Sequence, residues 1–244
     1  MAHEEKLDRK ALKGPDAFVS RGRSVLTWLV EQRMRLLPVL GLALAIAIGV
    51  YAFDHFSHAK DREAWDAYYS ATKIDEGKRQ ESLKTVHSRF PNSRAGLFAA
   101  TNVADKELEL AKKATADVKA PAVSAKAQES ATTAAQWYGE ALKFKDLLVS
   151  ERQLLHLDRA VALDTAGKLP EALVEARSAA NYVGEGRAMA YLTVGSLEER
   201  TGEKSKAKET YQKIATDFAG SESAKLAKTM LRRMDSPLLG DPAK

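Results

Sequence analysis

Five histidines and no cysteine set narrow limits on the chemistry open to this 244-residue chain. Without a thiol there is no cysteine nucleophile, no thiolate metal site, no disulfide and no lipid-modified cysteine anchor. His55 and His58 stand three residues apart with Asp54 and Asp61 beside them. A structural or catalytic metal ion needs three or four converging ligands, and this run offers two imidazoles on one turn of helix. A hydrated segment accounts for it better. His156 falls among leucines, where packing explains it, and Glu107 and Glu109 stand among lysines as a solvated face. The chain holds no phosphate-binding glycine loop, no G-x-S-x-G and no H-E-x-x-H. The expectation is a protein without catalysis, cofactor or metal, whose function lies in what it binds.

Any such binding surface is held by elements that begin with Leu36–Phe53, LLPVLGLALAIAIGVYAF, eighteen residues with no charge, amide or hydroxyl other than that of Tyr51. As a helix it would extend roughly 27 Å, close to the ~30 Å hydrocarbon core of a bilayer. In lipid only a helix can satisfy the backbone N–H and C=O groups of a single isolated segment. The reading is a transmembrane anchor over residues 36–53. A buried core helix and a cleaved signal peptide are its rivals, the latter with Val50-Tyr51-Ala52 as a small-residue cleavage site. The thirty-five preceding residues and the length of the run favour retention. Trp28 on one side and Phe53 and Phe56 on the other suit interfacial positions. Within the span, Gly41, Ala45 and Gly49 recur every four residues on one helix face, where a second helix could approach closely. A homodimer through that face is one expectation.

Charge gives the orientation. Residues 1–53 hold eight Lys and Arg against five Asp and Glu, and the remainder holds thirty against twenty-eight. Short basic segments stay cytoplasmic while large domains translocate largely regardless of charge. The N-terminus is therefore expected inside and the C-terminal domain outside, in the periplasm of a bacterial inner membrane. A nearly neutral domain is not expected to carry the basic patch that nucleic acid demands, so no nucleic acid is expected.

The rest of the chain is rich in Ala, Leu, Lys, Glu and Gln, strong helix formers that predict an all-α class. Residues 1–35 read as a basic cytoplasmic tail, in part helical if Phe18–Met34 forms an interfacial helix or extends the span, and 54–235 as one helical domain. Its helices are expected at Ser57–Ile74, Lys78–Arg89, Ala95–Ala114, Gln128–Phe144, Asp146–Ala166, Leu169–Tyr182, Gly186–Thr201, Lys204–Asp217 and Ser221–Met234. Thr115–Ala127, with Pro121, reads as a loop, and 236–244 as a disordered tail.

These helices repeat. Gly167 and Gly202 are thirty-five residues apart, as are Ala172 and Ala207, and Ala160 and Gly195. That period is close to the thirty-four residues of the tetratricopeptide unit, a helix–turn–helix that buries its face by stacking on neighbours. Tyr191, Val194 and Gly195, then Gly202, then Ala207 and Tyr211 resemble its W-x2-L-G, turn glycine and A-x3-F. Small Gly195 and Ala207 would let paired helices touch while Tyr191 and Tyr211 fill the space around them. Ala134, Tyr138 and Ala141 read as an earlier second helix, and Leu83, Val86, Phe90 and Ser93 match Tyr211, Ile214, Phe218 and Ser221 in spacing. Glu198 stands where the unit usually carries an aromatic, and Ala219 where it carries proline. The expected architecture is an α-solenoid of tetratricopeptide-like helix pairs behind one N-terminal transmembrane helix.

A basic tail, one span near residue 45 and a helical repeat domain together resemble the bacterial YfgM-type proteins, ancillary subunits of the Sec translocon. The likeness rests on the span followed by DREAWDAYYSA and then RFPNSRAGLFAA, and covers roughly residues 30–235. It implies a place beside the translocon, contact with a periplasmic chaperone or isomerase, and service to emerging envelope proteins. Other readings are a scaffold for division or outer-membrane biogenesis, and a self-assembling structural membrane protein. By register with the repeat, Leu154, Leu157, Val161, Met189, Leu192 and Ser196 would face the concave groove where partners of such solenoids bind. The alternative for these six is burial in the core or under the terminal helix.

Overall fold

The computed structural model describes residues 33–116 and 125–236. Most of the basic tail, the centre of the loop around Pro121 and the stretch after Ser236 lie outside the described residues. Among the described residues every regular element is a helix. They are α1 (Arg33–Thr72), α2 (Glu76–Arg89), α3 (Arg94–Ala116), α4 (Ala125–Ala141), α5 (Val149–Thr165), α6 (Leu169–Asn181), α7 (Arg187–Arg200), α8 (Lys204–Asp217) and α9 (Glu222–Asp235). The chain divides into two units at Lys60/Asp61.

In the first unit, α1 is long and apolar enough to cross a membrane, with Val39, Leu42, Leu44, Ile46, Ile48 and Val50 all exposed. A separate helix over Ser57–Ile74 is not formed: α1 runs unbroken through Asp54, His55 and His58 to Thr72. Charge ends an apolar run without ending a helix, since His58 and Asp54 simply pair on one turn, 3.1 Å apart.

In the second unit each helix from α2 to α9 packs on the next, α5 also meets α3, and α9 also meets α7. This consecutive packing is that of a helical solenoid. The expected Thr115–Ala127 loop is shorter than its composition suggested, because α3 continues to Ala116 and α4 already begins at Ala125. Conversely, α4 stops at Ala141 and α5 starts at Val149, so Leu142–Leu148 connects them.

The thirty-five-residue spacing reappears as geometry. Gly167 and Gly202 are the positive-φ residues of the described chain, at 77° and 84°. Each follows a helix and reverses the chain without the steric penalty a Cβ would bring. The hydrogen bonds repeat as well: Lys168 N–H donates to the Leu163 carbonyl and Glu203 N–H to the Glu198 carbonyl, both at 2.8 Å. This six-to-one bond satisfies a helix-terminal carbonyl in the same way in both units.

The second recurrence also holds. Ser93 Oγ accepts from Gly96 N–H at 3.0 Å, and Ser221 Oγ accepts from Ala224 N–H at 3.1 Å. In both, the aromatic three residues before the serine ends the previous helix, with Phe90 N–H on the Val86 carbonyl and Phe218 N–H on the Ile214 carbonyl. The serines satisfy amides that a helix start leaves without a partner.

Alanine fills much of the interior. Ala134, Ala160, Ala162, Ala172, Ala176, Ala179 and Ala190 are wholly buried around Leu155, Leu163, Leu173 and Leu197. Small side chains let the helices approach closely, and the larger residues are placed where a partner helix leaves room. Gly195 is such a place, since a Cβ there would lie 2.6 Å from the Tyr211 ring.

Candidate protein-interaction surface

The six residues expected on one groove are distributed over two hollows. Leu154 and Leu157 of α5 line the first together with Leu148, Val149 and Val183, a hollow of about 690 Å³. Val161 of α5 and Leu192 and Ser196 of α7 line the second, of about 250 Å³, with Asp164, Tyr211 and Met230. Met189 is half exposed and borders neither. Met230 belongs to α9, so the terminal helix forms part of the wall of the second hollow.

The first hollow is the more accessible to a partner. Leu148, Val149, Leu154 and Val183 are between 56% and 77% exposed. Single exposed apolar residues need no explanation, but several around one depression mark an interaction surface. Two polar contacts hold this arrangement. The Glu151 carboxylate accepts from Leu148 N–H at 2.8 Å, fixing the start of α5, and is itself bound by Arg94 of α3 at 2.6 Å. Gln153, buried, donates its amide to the carbonyls of Ala179 and Tyr182 at 3.0 and 3.3 Å. The loop after α6 thus closes against Gln153, with Gly186 so near that a Cβ would come within 2.9 Å of the amide oxygen. That closure seats Val183 beside Leu154 and Leu157.

Leu148, Val149 and Val183 were not singled out from the sequence. Repeat register selects positions along helices, whereas these residues sit at a helix start and in a loop. An apolar pair at the start of α5 and a lone valine before G-E-G were the available signals.

The repeat-packing residues lie where helices meet. Ala160, Ala172, Gly195, Ala207 and Tyr211 are buried, and Tyr191 is partly buried against Phe218. Glu198, in the position where the tetratricopeptide pattern usually has an aromatic, is also buried. It accepts from Arg177 at 2.8 Å and Thr210 at 2.7 Å, so the carboxylate is satisfied by hydrogen bonds and one guanidinium rather than by ring packing. His156 donates to Glu175 at 2.7 Å and stacks on Tyr182, while Arg159 holds the other Glu175 oxygen. Packing alone therefore does not describe His156, which ties α5 to α6 through a polar contact.

A second polar cluster joins α3, α4 and α5. Tyr138 donates to Asp105 at 2.5 Å, and burial with that neighbouring carboxylate raises the phenol far above its ordinary range. Asp158 is pushed up to about 6, first by burial and then by the Asp105 charge, against a smaller opposing effect of Lys112. At Tyr211 the phenol is pushed up to about 12 by burial and by Glu199. Tyr191 is shifted the other way, because the Lys213 ammonium, 3.0 Å from its oxygen, favours the phenolate.

In the first unit, Gly41, Ala45 and Gly49 are exposed, and a Cβ on either glycine would meet no atom within 4 Å. Among the described residues no three His, Asp or Glu side chains are placed to hold a metal ion. Compared with known proteins, the chain matches no family model, no curated sequence and no solved structure.

Proposed function

We propose that this protein is a non-enzymatic, membrane-anchored scaffold that binds protein partners through the apolar hollow between α5 and the loop after α6. The observation that carries this reading is the cluster of Leu148, Val149, Leu154 and Val183, exposed on a stack of helices yet held in place by Gln153 and Glu151. A stacked-helix frame supplies an extended rigid surface, and apolar anchors in a fixed depression are what partner recognition uses. The long apolar helix supports an anchor that keeps this surface at a membrane.

The likeness of the sequence to YfgM-type proteins gives the reading its address: the bacterial inner membrane, N-terminus cytoplasmic and repeat domain periplasmic, beside the Sec translocon and a periplasmic chaperone or isomerase. Affinity purification of the tagged full-length protein in mild detergent, with partners identified by mass spectrometry, tests that address. Sec channel subunits should be enriched, and lost when Gly41 and Gly49 are both replaced by leucine. Enrichment of division or cell-wall proteins without the channel would refute the translocon assignment. A doubled detergent-corrected mass with no partner would instead favour self-assembly through the Gly41–Gly49 face.

A further inference from the structure

The last two helices carry charge that the proposed partner surface does not use. α8 and α9 hold eight lysines and arginines against four carboxylates, whereas α5, α6 and α7 together hold five against seven. α9 turns Ala227, Leu231 and Met234 inward against Tyr211 and Ile214. At 100° per residue, Lys225, Thr229 and Arg232 fall on its opposite face with Glu222, Lys228 lies on the flank beside Arg232, and all five are exposed. Lys228 and Arg232 have no ion-pair partner among the described residues. Lys225 meets only Glu222, in a pair that both members expose to water and that neutralises little. Asp235 is engaged by Lys208 of α8. Leu226, partly exposed, borders the row.

We infer that this outward face of α9 docks on an anionic phospholipid surface. The terminal helix of a solenoid requires a polar outer face, but it does not require one sign of charge. A row of long cations on a convex helix, with an apolar side chain at its border, forms no cleft that would enclose a single carboxylate. It suits the diffuse field of many headgroups, which attracts each nearby Lys or Arg roughly fivefold. The inference rests on the membrane-anchored reading, since an anchor would hold α9 at high effective concentration near lipid.

The absence of cysteine supplies a clean test, because Thr229→Cys in the full-length chain gives a single site for an environment-sensitive fluorophore. The labelled protein is reconstituted in vesicles of phosphatidylcholine alone or mixed with phosphatidylglycerol. The expected result is a blue-shifted, headgroup-quenchable signal only with phosphatidylglycerol, reversed by high salt. Replacing Lys225, Lys228 and Arg232 together by glutamine should weaken this contact on the order of 100-fold, the product of three roughly fivefold effects. Equal signals in both lipids, or an unchanged signal in the triple variant, would overturn the inference. A signal that appears in neutral vesicles only on adding an acidic protein would reassign the face to that partner. Salt-resistant flotation on neutral vesicles reports the anchor separately: its loss with the phosphatidylglycerol response intact defeats the anchor and leaves the α9 contact standing.

Discussion

The turn after α2 and the turn after α8 are built on the same hydrogen bonds and close in different ways. In each, a phenylalanine ends one helix, and a serine three residues later caps the next. In the later turn, Phe218-Ala219-Gly220-Ser221, the glycine lies in the loop and alanine follows at position 224. In the earlier one, Phe90-Pro91-Asn92-Ser93, the loop has no glycine, and Gly96 stands where the later turn has Ala224. A Cβ on Gly96 would lie 2.0 Å from the Phe90 carbonyl oxygen, while one on Gly220 would meet nothing within 4 Å. Two copies of one frame thus place their glycine in different positions, and only one of them needs it.

The two second-helix tyrosines differ in the same spirit. Tyr138 and Tyr211 each follow an alanine by four residues and each donate to a carboxylate. Glu199 at Tyr211 is also held by Arg233 at 2.5 Å. Beside Tyr138, burial and then the Asp105 charge raise the cost of ionising Asp158, and Lys112 offsets only part of it. The scaffold repeats while the charge balance at equivalent points does not.

The largest expected effect is therefore Gly96→Ala. The clash is with backbone that also accepts from Ser93 N–H, so relief requires breaking the turn, and urea unfolding of the full-length protein in detergent should show a loss of about 3 kcal/mol or more. Gly220→Ala is its control, and a comparable loss there would end the comparison. Gly195→Ala comes next, because its Cβ would press on the ring of Tyr211, which has some freedom to shift; about 1–3 kcal/mol is expected. Ser93→Ala and Ser221→Ala should each cost about 1 kcal/mol, and similar values from the two would show that the caps are equivalent although the glycines are not.

The polar contrast predicts a pH effect of smaller size. The pKa of Asp158 is about 6 when folded against an ordinary 3.8, so the folded state binds its proton more tightly than the unfolded state. Its burial accordingly weakens the fold above about pH 6, and this penalty fades as pH falls from about 6 towards 3.8. Asp158→Asn should raise the thermal midpoint at pH 7.5 and lose that advantage near pH 4. An equal gain at both pH values would show that charge is not its cause. Gly220→Ala should move stability by no more than about 0.5 kcal/mol, in either direction.

What the sequence made legible was what depends on spacing. Gly167 and Gly202 show because a reversal needs a residue free of Cβ at a fixed interval, and Phe-x-x-Ser shows because capping is local. Gly96 was invisible, since its requirement comes from a carbonyl oxygen brought back by the preceding turn. The Asp105–Tyr138–Asp158 cluster was hidden likewise, as three helices contribute one group each. The candidate surface was half legible: register selected Leu154 and Leu157, but Val183 joins them because the Gln153 amide holds the next loop inward, and Leu148 and Val149 because Glu151 fixes the start of α5 beside them. The continuity of α1 through Asp54 was missed because the end of an apolar run was equated with the end of a helix.

The central claim, that the hollow beside Leu154 is where a partner binds, is tested most directly by photo-crosslinking in cells. A photoreactive residue replaces Leu154 or Val183 in the full-length protein, with exposed Gln212 of α8 as the comparison site. Adducts with a Sec channel subunit or a periplasmic chaperone from Leu154 and Val183, and none from Gln212, are the predicted result. No adduct from the hollow, or the same adducts from Gln212, would contradict the account.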